Sequence, residues 1–216
     1  VILVTINYRL GPFGWFSLPN LNSNSNEPLD QSPNFGTLDM IKSLEWVNQN
    51  IRAFGGDPNN ITIFGESAGA RNVLSLYVAK PAEDLFQRGI VQSGYLVSDS
   101  IEYSQNNPNS GSLTFVKNSI KKKNPAMNPM TLKETLEDSN VLSNYLRDLS
   151  KEEIISFYRI REDAGGLIDI PNVIPDGIII PEEGIFESYI NGKFQDKEII
   201  LGTNRDEHKL FMSGNP

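Results

Sequence analysis

The sequence predicts an α/β fold, a mostly parallel sheet flanked by helices. Three observations predict it. Short apolar, β-branched runs at residues 1–8, 61–64, 89–94 and 197–203 suit strands buried in a parallel sheet. Helical spacing fills the interval between the first two runs, and strands that alternate with helices imply parallel neighbours joined by crossovers. The third observation is a serine flanked by glycines, set where a strand pattern stops and a helix pattern starts.

The elements follow in order. Residues 1–8 form an almost continuous apolar run, expected as a parallel strand. Leu10-Gly11-Pro12-Phe13-Gly14 reads as a turn, and residues 19–33, rich in Asn, Ser and Pro, as a surface loop. A helix is expected over 36–54, capped by Asn34 or Thr37, with Leu38, Ile41, Leu44, Val47 and Ile51 on one face. Gly55-Gly56-Asp57-Pro58 ends it. The strand at 61–64 leads into Gly65-Glu66-Ser67-Ala68-Gly69, and Val73, Leu74, Leu76, Tyr77 and Val78 continue as a helix. After the strand at 89–92, Ser93 and Gly94 sit where ligands approach an open α/β sheet, at a strand's carboxyl end.

Residues 98–128 turn polar and read as the least regular segment, with Lys121, Lys122 and Lys123 on a solvated face. Two or three short helices are expected over 132–158, with capping boxes at Thr131/Glu134 and Ser150/Glu153. Residues 163–180 read as loop, Ile178 to Ile180 as a short strand, and 181–190 as a helix start. The strand at 197–203 then runs into Asn204-Arg205-Asp206-Glu207-His208. These parts divide as one domain: a core with the serine turn at 1–97, a helical insertion or lid at 98–172, and a return to the core at 173–216.

Composition sets bounds. With 216 residues and 38% hydrophobic content, the chain is long enough for one cored domain. Its net charge of −8 argues against nucleic acid and anionic membrane surfaces as partners. No apolar run reaches the length of a membrane span. Without cysteine there is no disulfide, thiolate metal site or Cys nucleophile. That fits a cytoplasmic or an exported bacterial protein and leaves localisation open. The chain opens directly on an apolar run and closes shortly after a well-formed motif, so an internal piece of a longer protein is expected, incomplete at both ends.

The serine motif has a mechanical reason. A serine on a sharp strand-to-helix turn is held in strained geometry, so its neighbours two residues away on each side must be small. The Ser67 hydroxyl then stands clear at the positive end of the helix, and the backbone N–H of Ala68 points to where an oxyanion forms. Asp206 and Glu207 fall where the acid of a Ser…Asp/Glu…His order belongs.

Asn7-Tyr8-Arg9-Leu10-Gly11, Trp46-Val47-Asn48-Gln49-Asn50-Ile51, Phe54-Gly55-Gly56-Asp57-Pro58, Phe64 to Ala70, Gln92-Ser93-Gly94 and Gly202 to Glu207 together resemble the type-B carboxylesterase/cholinesterase family. The resemblance covers most of 1–95 and about 173–211. It implies the α/β-hydrolase fold and serine ester hydrolysis, with a small-molecule ester as substrate and neither metal nor organic cofactor. By motif, Ser67 matches the nucleophile, Glu207 the triad acid, Ala68 the oxyanion donor and Glu66 a carboxylate on the pocket floor; Asp206 is the acid's structural neighbour. The family's Gly-Gly segment should lie before Val1 and its catalytic His after Pro216. His208, adjacent to Glu207, reads as a pocket-edge or surface residue. Arg71-Asn72 departs from the small residues of animal members and resembles a bacterial subgroup. Leu167, Ile170, Leu210 and Phe211 are candidate pocket-lining residues. Two alternatives stay open, a non-catalytic cholinesterase-like binding domain and an inactive truncated product. The oligomeric state is open too.

Overall fold

The structure is a computed structural model that describes residues 1–19, 21, 25–158, 160–161, 167–168, 170–207 and 209, with the backbone alone at 160–161 and 167–168. Its centre is a three-stranded parallel sheet in the order β1 (Thr62–Glu66), β2 (Arg88–Gln92), β5 (Glu198–Gly202). The register is level: Phe64 pairs with Ile90 and Ile90 with Ile200, while Glu66 pairs with Gln92 and Gln92 with Gly202. All three carboxyl ends therefore stop at one edge of the sheet, and whatever follows them is brought together there.

Helix α1 (Phe35–Asn50) and helix α2 (Ala68–Val78) pack with this sheet around one apolar cluster that includes Trp15, Ile41, Ile63, Val73, Phe86, Val91, Ile174 and Ile180. Burying each large apolar side chain of this kind contributes roughly 1.5–3 kcal/mol. The expected end of α1 is present: a 3-10 turn over Ile51–Phe54 is closed by Gly55 at φ 82, the left-handed stop that glycine makes cheaply. Asn34 is the N-cap, yet its side chain does not cap the helix. It bridges instead to the backbone of Ile174, donating to the carbonyl at 2.8 Å and accepting from the N–H at 2.9 Å. Thr37 accepts from the Trp15 indole at 3.3 Å.

The opening run is not a strand. Residues 1–7 have no regular secondary structure and are exposed, and among the described residues they pair with no strand. An apolar run becomes a strand only where a ladder partner is free beside it. Here the run lies along α1 and is tied there by Arg9, whose backbone N–H and Nε meet Asp39 Oδ2 at 2.9 and 2.8 Å.

Residues 98–128 are more regular than their polar composition suggested, holding two helices, and the two or three short helices expected over 132–158 are three. Helix α3 (Ile101–Asn106) is followed by α4 (Ser112–Lys123), α5 (Pro129–Glu137), α6 (Ser139–Arg147) and α7 (Lys151–Ile155), which gather around their own cluster of Phe115, Val116, Ile120, Leu132, Leu142 and Leu149, joined by Leu18. The Ser150/Glu153 capping box is formed. The Thr131/Glu134 box is not, because α5 starts earlier, with Asn128 accepting from the Thr131 N–H at 2.9 Å. A two-residue antiparallel pair, β3 (Ile160–Arg161) with β4 (Leu167–Ile168), follows.

Ile178 to Ile180 are a bend rather than a strand. One oxygen of Asp176 accepts from the N–H groups of Ile178, Ile179 and Ile180 at 3.1, 2.9 and 2.9 Å, which leaves those groups nothing to give a ladder. Helix α8 (Gly184–Ile190) then leads to β5. Among the described residues no helix is long and apolar enough to cross a membrane.

Candidate active site

Ser67 stands between β1 and α2 with φ 53 and ψ −116, a conformation a residue with a Cβ adopts only under strain, at a cost of about 1–3 kcal/mol. Two bonds hold it there. Its N–H donates to the Gln92 carbonyl at 2.9 Å, and its carbonyl accepts from the Arg71 N–H at 3.0 Å as the first bond of α2. The strand ladder thus holds one side of the residue and the helix the other, leaving the side chain partly exposed at the sheet's carboxyl edge.

The two flanking glycines have different reasons. A Cβ on Gly65 would stand 2.4 Å from the carbonyl carbon and oxygen of Gly69 and 2.9 Å from the Ala70 nitrogen. A Cβ on Gly69 would meet nothing within 4 Å. The motif's symmetric spacing predicts the same crowding at both. In the structure Gly65 lets the helix start fold back over the strand end, and Gly69 faces open space.

Ala68 is the first residue of α2 and is exposed, so its N–H belongs to the first-turn donors that lack an intrahelical partner. Glu66 is the last residue of β1, exposed on the sheet edge beside Gln92. Ser93 repeats the Ser67 geometry one strand over, with φ 54 at the end of β2. Its N–H donates to the Gly202 carbonyl at 2.7 Å, and its hydroxyl accepts from the Asn204 amide at 3.4 Å. Gly94 lets this turn approach α2, since a Cβ there would come within 2.6 Å of Val91 and 3.1 Å of Ala70.

Glu207 directly follows the two-residue turn after β5, and its Oε2 accepts from the Asn204 N–H at 2.8 Å. Asp206 pairs outward with Lys209 at 2.7 Å. Ser67 follows the end of β1 and the Glu207 turn follows the end of β5 on the same carboxyl edge, and those strand ends lie two strands apart, about 10 Å at the usual strand spacing. An imidazole with one hydrogen bond on each side fits such a gap. His208, Leu210, Phe211 and the Leu167 side chain lie outside the described residues; Ile170 is half-buried against Gly11.

The sequence profile of the carboxylesterase family matches residues 1–216. The chain belongs to the carboxylesterase family. The para-nitrobenzyl esterase of Bacillus subtilis is 34% identical over 99% of this chain. Cholinesterase 1 of Branchiostoma lanceolatum is 32% identical over 98% of it. A solved para-nitrobenzyl esterase structure superposes with a TM-score of 0.72 at 29% identity, covering 97% of this chain and 40% of that one, so the carboxylesterase core described above has the α/β-hydrolase fold. The chain spans 38% of the length of the Bacillus esterase and 55% of that of the cholinesterase.

Sequence reasoning names Ser67, Ala68, Glu66 and Glu207 as candidate site residues and does not name Asn204, which joins the Glu207 turn to Ser93. The signal was the level register of three strand ends, which only pairing reveals.

Proposed function

We propose that the protein to which these residues belong is a serine carboxylic-ester hydrolase acting on small-molecule esters through an acyl-enzyme. The observation that carries this reading is the strained Ser67, raised at the sheet edge level with the turn that leads into Glu207. Family membership supports it, as do relatives whose names are esterases.

Ser67 is a weak nucleophile until a base takes its proton. A histidine in the gap beside Glu207 does so. Glu207 holds that ring in one tautomer and stabilises its positive form. The Ser67 oxygen attacks the ester carbonyl carbon, and the Ala68 N–H, at the positive end of α2, donates to the oxyanion that forms. The carbonyl re-forms as the alcohol departs with the proton from the ring. Water then attacks the acyl-serine by the same route, releasing the acid and restoring Ser67. Glu66, exposed on the same edge, is assigned to substrate contact in this reading.

A fluorophosphonate probe with mass mapping tests the reading on the full-length polypeptide. Labelling at Ser67, abolished by Ser67→Ala, is expected. A folded wild-type protein that takes no label, or takes it elsewhere, rejects the assignment and leaves a binding domain.

A further inference from the structure

Arg71 is the one charged residue of α2, and it is buried, with 4% of its surface exposed. It sits one turn after Ser67, and helical side chains lean back toward the helix N-terminus, which here is the serine turn. Its guanidinium lies 5.9 Å from the Trp15 ring centre and 5.5 Å from that of Tyr95, two residues past Ser93. Nη1 donates to the Asn172 side-chain oxygen. The Asn172 amide donates in turn to Asp99 Oδ2 at 3.1 Å, and the Asp99 N–H donates to the Val173 carbonyl at 2.9 Å.

Asp99 and Asn172 bracket the helical segment that begins with α3. The chain Arg71–Asn172–Asp99 therefore ties both ends of that segment to each other and to the helix that begins at Ser67. The arrangement leaves polar atoms unused: among the described residues, Arg71 Nε and the neighbouring Asn72 Oδ1 are buried without hydrogen-bond partners. Apolar residues of similar volume would fill this space at less cost, so packing alone does not account for a cation here. A buried polar relay does something packing does not, because it specifies one relative placement of the parts it joins.

We propose that Arg71 is a positioning residue that, through Asn172, sets where the base of the 98–172 segment meets the Ser67 turn, and so the room for an acyl chain beside Ser67. This rests on the esterase reading. Arg71 touches no reacting atom in it; its effect is on which acyl groups fit.

The test compares 4-nitrophenyl acetate with 4-nitrophenyl octanoate on the full-length protein, for wild type, Arg71→Met, Arg71→Lys and Asn172→Ala. Arg71→Met and Asn172→Ala should change the octanoate-to-acetate ratio of kcat/KM about tenfold, mainly through KM, with Arg71→Lys partly restoring it. Hydrogen exchange should quicken at the Asp99 amide in Asn172→Ala while β1 and β2 stay protected. Asn172 is half-buried on a loop, so this variant carries the test if Arg71→Met fails to fold. Equal losses on both esters, or an unchanged Asp99 amide, overturn the proposal and leave the esterase reading standing. A wild type inert to both esters and to the fluorophosphonate overturns both.

Discussion

The absent Cβ of Gly65 would stand 2.4 Å from the carbonyl of Gly69. That contact explains why the strand can end and the helix begin within three residues. The helix start folds back onto the strand end, and Ser67 is the residue left at the crease with φ 53. The relationship is one-sided, since Gly69 has open space where its own Cβ would be.

Gly65→Ala and Gly69→Ala should therefore differ. The first forces backbone apart and is expected to destabilise by about 3 kcal/mol or more. The second should unfold within about 1 kcal/mol of wild type. Urea unfolding followed by circular dichroism checks both, and equal losses would show that the crease does not depend on Gly65.

Ser67→Ala and Glu207→Gln separate chemistry from folding. The full-length Ser67→Ala protein should lose ester hydrolysis to background. Glu207→Gln should fall about 10⁴-fold in kcat, because an amide holds the imidazole in the wrong tautomer. Both should keep the wild-type circular dichroism spectrum. A Glu207→Gln enzyme within tenfold of wild type would move the acid to another residue.

Asp176 is a structural carboxylate. It accepts from three consecutive backbone N–H groups, from the Asn34 amide at 3.0 Å and from the Ser32 hydroxyl. Asp176→Ala leaves these donors without a partner and should cost about 3 kcal/mol, since each buried donor left alone costs about 1–3 kcal/mol. Thermal unfolding reads the effect directly; a loss below about 1 kcal/mol would show that water replaces the carboxylate.

Stability should also fall in acid through Asp39. The hydrogen bonds from Arg9 hold its carboxyl below the usual carboxylate value, against a smaller opposing effect of burial. A depressed folded-state pKa adds stability above the unfolded value of about 3.9, and that stability is lost as pH falls toward the folded one. Arg9 is half exposed, with 51% of its side chain accessible, so the contribution is at most about 1 kcal/mol. Asp39→Asn should remove this part of the dependence below pH 4, measured by urea midpoints against pH; a variant curve parallel to wild type throughout would refute it.

Much was legible because its cause is local. Gly55 at a left-handed helix end, the Ser150/Glu153 box and the apolar run into Gly65 each follow from a few neighbouring residues. The differences have other causes. Residues 1–8 have strand composition, but a strand needs a partner, and composition does not name one. Asn34 looks like a cap, yet it is drawn away by Ile174, 140 residues on. Ile178 to Ile180 look like a strand, yet their donors go to Asp176. For Asn34 a distant contact outbid the local preference, while for Ile178 to Ile180 a side chain two to four residues away took the donors a ladder needs.

The residues alone determined an alternating α/β chain with a serine at a strand-to-helix turn, because propensity and steric size act over a handful of positions. Tertiary structure decided the rest: that β1, β2 and β5 end level, that Ser67 and Glu207 therefore share an edge, and that a buried Arg71 reaches Asn172 across 101 residues of chain. Hydrogen-bond register and burial are properties of segments that meet only on folding, and no short stretch of sequence contains them.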